Sequence, residues 1–186
     1  MEVRGTFCIA QKKTEALIPA AQPLRLEYLD GLMVKAKELC RTQANKKRTA
    51  ILKLERTAKS ALEGWMSDLT PNRRQLVEKK VDAYFQEVRT GGEYSAPNQQ
   101  NQLPLSAADA LEETLKQQDK IHKKYLQEIA NIQSAMQKRI QNEVLEEQAK
   151  GNGDVQHGLY QAMKKIEAMQ TEAFIQYVED YSVMPK

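Results

Sequence analysis

The sequence predicts an all-α protein: an elongated antiparallel helical bundle or coiled coil of about four helices, two long and two shorter, with an extended N-terminal arm. Three observations carry this reading. Apolar residues recur at steps of three and four along two long stretches, as one buried face of a helix requires. Gly and Pro number only 8 and 6 in 186 residues and gather where a helix would stop. Aromatic residues make up 6%, thin for a compact enzyme core, whereas Met and Ala can fill helix–helix contacts.

Residues 1–23 read as the arm. Val3, Thr6, Phe7 and Ile9 have strand character, and Pro19 and Pro23 prevent a continuous helix. A helical turn fits near Lys13 to Leu17, and Phe7, Ile9, Leu17 and Ile18 would gain by docking on a helical surface. From Leu24 to Met66 a long helix is expected. Its stripe runs Leu29, Leu32, Ala36, Leu39, Gln43, Lys47, Ala50, Leu54, Ala58, Ala61 and Trp65. Gln43 and Lys47 interrupt it, either to fix register or to mark a bend or a solvent-facing turn.

Thr70-Pro71 opens the next helix, with Thr70 as N-cap and Pro71 at the first helical position. Leu76, Val77, Val81, Tyr84, Phe85 and Val88 share one face, and Gly91-Gly92 ends it. The short turn before it folds this helix back on its predecessor. Residues 91–105, GGEYSAPNQQNQLPL, lack periodicity and read as a mobile crossover linker.

Ser106, with Asp109 in the manner of a capping box, opens the second long helix. Its seam steps through Leu111, Leu115, Gln118, His122, Tyr125, Ile129, Ile132, Met136, Arg139 and Glu143, with Ile140 and Val144 taking over as the stripe drifts. From Ala107 to Lys150 it would be about 66 Å long, more than a globular core needs. Gly151-Asn152-Gly153 stops it. Asp154 then caps a final helix with Leu159, Met163, Ile166, Met169, Phe174, Tyr177 and Tyr181 inward, ending before Pro185. The chain thus divides into the arm, a basic helical hairpin (24–90), a linker (91–105) and an acidic long helical hairpin (106–186), with 24–186 forming one bundle.

The side-chain inventory disfavours catalysis. There is no Gly-rich phosphate loop, HExxH or GxSxG pattern. Glu112-Glu113 and Glu146-Glu147 are adjacent, so their carboxylates point about 100° apart on a helix. His122 follows Asp119 by three residues, the nearest approach to the Glu-x-x-His element of a ferritin-like metal site, but an Asp–His pair is weak support for one. His122 instead shares the stripe with Gln118, read first as a hydrogen-bonded polar layer that sets register, with a pH-responsive contact and a partly exposed side chain without a special task as the alternatives. No cofactor or metal is expected, and the chain is read as non-enzymatic. No apolar run reaches the length of a membrane span, and nothing resembles a secretory leader. Cys8 and Cys40 form no CxxC pair, which fits reduced thiols and an intracellular site.

The net charge of +3 conceals a dipolar chain. Residues 1–92 carry 18 cations and 11 acids, net +7, and residues 93–186 carry 10 and 14, net −4. Between Lys35 and Lys59 nine cations face two acids. That charge could pair with the acidic half, meet a polyanion such as nucleic acid or an acidic protein tail, or stay solvated. The basic hairpin with its Asp68-Leu69-Thr70-Pro71 turn, and Tyr84-Phe85 ahead of Gly91-Gly92, loosely resembles the N-terminal helices of borealin-type chromosomal passenger subunits. The likeness covers about a third of the chain and carries no residue or function across.

The leading expectation is a scaffold or adaptor subunit that meets protein partners, or itself, through its helix stripes. The interface candidates are Leu29, Leu39, Leu54, Trp65, Leu111, Leu115, His122, Ile129, Ile132, Met136, Ile140, Met163, Ile166, Phe174 and Tyr177. The alternative is a polyanion-binding module using Lys46, Lys47, Arg48, Lys53, Arg56, Lys59, Arg73 and Arg74.

Overall fold

The computed structural model describes residues 26–182; the expected arm at 1–23 lies outside them. Over this span the protein is 84% helical, without strands. Helix α1 (Glu27–Lys53) runs almost directly into α2 (Glu55–Ser67). Helix α3 (Pro71–Gly91) folds back, and α4 (Ala108–Lys150) follows a single 3-10 turn at Leu105–Ala107. Helices α5 (Gly153–Glu167) and α6 (Thr171–Asp180) complete the order. At 43 residues, α4 is about 65 Å long.

The α1–α2 run and α4 pack antiparallel. Tyr28, near the start of α1, donates to the carbonyl of Arg139, late in α4, at 3.4 Å. At the opposite end Ile51 shares a core with Leu111. The run is interrupted at Leu54, whose amide donates to Ile51, three residues back, at 3.0 Å. This local 3-10 step marks the junction between α1 and α2. The helix continues unbroken through Gln43 and Lys47.

Two apolar cores sit on this pair of helices. At one end Leu29, Met33, Ala36 and Cys40 of α1 meet Ile129, Met136, Ile140 and Val144 of α4, closed by Leu159 and Ile166 of α5 and Phe174 and Val178 of α6. At the other end Ile51, Ala58 and Leu62 meet Val77, Val81, Tyr84, Phe85 and Val88 of α3, with Ala107 and Leu111. Each core therefore draws on both sequence halves. Between them no residue of 41–50 on α1 or 115–128 on α4 is buried.

The segment at 91–105, expected to be mobile, is an ordered strap. Tyr94 and Leu103 are only 3% and 4% exposed and belong to the second core. Gln118 on α4 clamps the Tyr94 backbone, accepting from its amide at 2.6 Å and donating to its carbonyl at 2.9 Å. The Tyr84 hydroxyl donates to the Ser95 carbonyl and accepts from the Ser95 amide. Buried Asn101 donates to Ser95 Oγ and the Ala96 carbonyl, and accepts from the amides of Asn98 and Leu103. All its polar capacity is used, so the polar composition that suggested mobility serves to hold the strap.

Helix termini differ in part from the expectation. Gly92 and Gly151 adopt left-handed conformations, at φ 78° and 77°, which a side chain would resist. Behind Gly151 the amides of Gly151 and Asn152 return to the carbonyls of Gln148 and Glu147, a Schellman stop. Thr70 is the N-cap residue of α3, but its side chain makes no capping bond. The expected Ser106–Asp109 capping box does not form, because the 3-10 turn precedes α4 and Ala107 occupies the cap position. Asp154 lies inside the first turn of α5, behind Asn152, and is not the cap.

The expected final helix is two helices. The chain breaks at 168–170 without Gly or Pro. Buried Gln133 of α4 explains how: its Nε2 donates to the carbonyls of Ile166 at 2.8 Å and Met169 at 3.0 Å. The Ile166 carbonyl also accepts from the Met169 amide at 3.2 Å, so Gln133 adds a second bond there and takes up the Met169 carbonyl at the break.

Candidate partner-binding surface

Helix α6 and the corner between α3 and the strap cover one side of α1. On that side Asp30 accepts from the Tyr181 hydroxyl, and Lys37 donates to the Glu179 carbonyl. Arg41 grips the Glu179 carboxylate through Nε and Nη2 at 2.9 and 2.7 Å. Further along, Arg48 donates to the Arg89 carbonyl and Lys47 pairs with Glu93 at 2.8 Å. Helix α6 and the α3–strap corner thus occupy successive lengths of one flank.

The other flank is open and grooved. A cavity of 230 Å³ between α1 and α4 is lined by Leu32, Ala36 and Leu39 on one helix and Ile132, Ala135 and Met136 on the other, with Lys35 and Arg139 at its edges. It meets a second stretch of 400 Å³ at the shared Glu128. There the walls are Gln43, Lys46, Lys47 and Ala50 against Ile121, Lys124 and Tyr125. Every residue lining either stretch belongs to α1 or α4. Glu128 is their sole acid, while Lys35, Lys46, Lys124 and Arg139 have no carboxylate within 4 Å among the described residues.

Leu39 corrects the sequence reading. It was expected at a buried helix interface, yet it is 42% exposed and lies on the groove wall. Cys40 takes the buried position, because the seam steps Leu29, Met33, Ala36, Cys40. Burial, with the Glu179 carboxylate nearby, pushes the Cys40 thiol up to about 11, so it behaves as a packing group. Of the other candidates, Leu29, Ile129, Met136, Ile140, Ile166 and Phe174 are buried in the first core and Leu111 in the second. Ile132, Met163 and Tyr177 pack half-buried against the first, and Leu54, Trp65 and Leu115 against the second.

His122 is half-buried, with its ring 6.4 Å from that of Tyr125. The expected hydrogen-bonded layer does not form: Gln118 is committed to the strap, and His122 makes no hydrogen bond among the described residues. The α4 seam is polar here because it faces the strap and the waist, a relationship between segments that periodicity does not encode.

The eight basic candidates separate into two groups. Lys47 is paired with Glu93, Lys59 with Glu55, and Arg48 and Arg74 donate to backbone carbonyls. Lys46, Lys53, Arg56 and Arg73 have no acidic partner among the described residues. Among the described residues, pairing between the two sequence halves is limited to Lys37 and Arg41 with Glu179 and Lys47 with Glu93. Most of the first half's described cations therefore have no carboxylate of the second half within 4 Å.

Among the described residues no group of three or more His, Cys, Asp or Glu is placed to hold a metal ion, and no helix is long and apolar enough to cross a membrane. No protein-family model, curated protein or solved structure matches this chain. The functional reading accordingly rests on geometry and charge.

Proposed function

We propose that the protein is a non-enzymatic helical scaffold or adaptor subunit that joins a larger assembly through the open flank of its α1–α4 pair. The observation that carries this is the groove itself. The two longest helices are covered on one side and leave Leu39 and parts of Leu32 and Ile132 open on the other, between cations with no carboxylate within 4 Å among the described residues. A contiguous apolar surface rimmed by polar residues is a mark of an interaction site. Sizing the full chain by light scattering at micromolar concentration, with co-purifying polypeptides identified, tests the reading. Self-association or a stoichiometric partner is expected; a stable monomer without a partner overturns it.

A second reading is supported by Lys46, Lys53 and Arg56. They fall at steps of seven and three on the outer face of α1 and α2, without acidic partners among the described residues. Such a stripe suits a polyanion. Binding to a DNA oligonucleotide that weakens with salt, and is lost when these three become Glu, is the expected outcome. Lys47 and Arg48 are poorer test positions, because both already hold the strap corner.

A further inference from the structure

We infer that the α1–α4 groove is a seat for an acidic amphipathic helix of a partner protein, an inference that rests on the scaffold reading. Leu32 and Leu39 face Ile132 and Met136 across the groove, giving an apolar floor between two antiparallel ridges. A helix laid along such a floor meets it with residues at i, i+3, i+4 and i+7. From Arg139 to Lys124 the α4 wall spans about 22 Å at 1.5 Å per residue, room for roughly four helical turns.

The charge around the floor selects the sign. Lys35 and Arg139 flank one end, and Lys46 and Lys124 the other, with Glu128 as the lone acid between. Carboxylates along both edges of an incoming helix would meet these four cations. A basic helix would place like charges at every edge. A second copy docked groove to groove would set lysine against lysine. A nucleic acid would leave the leucine floor without a partner. The exposed ion pairs add little affinity individually; they favour the correct partner and hasten encounter, while the apolar floor supplies most of the attraction.

The test uses the full chain and two designed helical peptides with identical leucine spacing, one flanked by Glu and one by Lys. Fluorescence anisotropy at physiological salt should show the Glu peptide binding about tenfold more tightly, the combined effect of four exposed ion pairs. Lys35→Glu combined with Lys124→Glu should reverse that preference. Leu39→Glu should abolish binding while leaving the circular dichroism unchanged, since the Leu39 side chain already meets solvent. Equal binding of both peptides, binding of neither, or indifference to Leu39→Glu overturns the inference. So does a dimer of the full chain that Leu39→Glu dissociates, or displacement of the peptide by a DNA oligonucleotide. A co-purifying partner retained by Leu39→Glu would overturn the groove and leave the scaffold reading standing. A partnerless monomer that still binds the Glu peptide would do the reverse.

Discussion

The two ends of the bundle enclose the same pair of long helices by different means. At the α5–α6 end closure is helical, and Phe174 and Val178 complete a four-helix core whose buried Gln133 is satisfied. At the α3 end closure depends on a non-helical strap seated by Tyr84, Gln118 and Asn101. That end also leaves two buried hydroxyls, on Tyr94 and Thr114, without a partner among the described residues. The difference teaches that one end is sealed by apolar volume, and the other by volume plus a few specific hydrogen bonds. Between them lies a waist in which neither long helix buries a residue, touched on one flank by the strap corner through Lys47 and Arg48, and the open groove runs into it.

Truncating the cores should have the largest effect. Phe174→Ala removes a fully buried ring and should cost about 3–5 kcal/mol, and Leu111→Ala about 2–5 kcal/mol at the strap end. Denaturant unfolding followed by amide exchange would show whether each loss stays at its own end. If Phe174→Ala raised exchange equally in both cores, the waist would transmit packing and the ends would form one cooperative unit.

The strap provides the sharper contrast. Tyr84→Phe and Gln118→Ala each leave strap backbone groups without their partners, for about 1–3 kcal/mol apiece. Amide exchange should rise across residues 94–103 and stay unchanged in α5 and α6. No change in the strap would mean that Tyr94 and Leu103 hold it by apolar contact alone.

These contrasts also show what the sequence conveys and what it withholds. Helix class, the two long runs, and the stops at Gly91-Gly92 and Gly151 were legible because apolar period and backbone conformational freedom are local properties. The antiparallel pairing of the long helices was expected from the order of long and short helices in two hairpin-like halves. The strap was not legible: Asn98, Asn101 and Gln118 look solvent-seeking until a fold supplies their partners. Nor was the break at 168–170, since Gln133, which steadies it, lies more than thirty residues away. Leu39 and Cys40 are neighbours, and the period permits either to face inward. The covering of one flank by α6 settles the choice, and the same event creates the groove.

The waist should respond less than either end. Lys47 is only 18% exposed at its side chain, pairs with Glu93 and lies 5.4 Å from the Tyr125 ring centre. Lys47→Leu would join two apolar surfaces while releasing Glu93, and stability should change by no more than about 1 kcal/mol. The informative readout is oligomeric state, because polar seam positions restrain association. A large loss of stability would make the waist a third structural centre and end the comparison of two sealed ends across a loose middle.

The smallest effects belong to the two carboxylate clasps, one at each end. Hydrogen bonds from Arg89 and Lys59 hold the Glu55 carboxyl at about 2, fastening α2 to α3. At the other end, hydrogen bonding to Arg41 lowers Glu179, fastening α6 to α1. Both folded values lie below the unfolded carboxylate value of roughly 4.3. Each clasp therefore contributes fully above that value and is lost as pH falls through its folded one, which for Glu55 extends to about 2. Glu179→Gln should flatten the acid response of amide exchange in α6, and Glu55→Gln that along the α2–α3 contact, each without affecting the other end. In a Cys8→Ser background at mildly alkaline pH, Glu179→Gln should also speed thiol labelling of buried Cys40, which shares a core with Phe174. Unchanged labelling would show that apolar packing alone seats α6, and that Arg41 and Glu179 are bystanders on a surface closed by Phe174 and Val178.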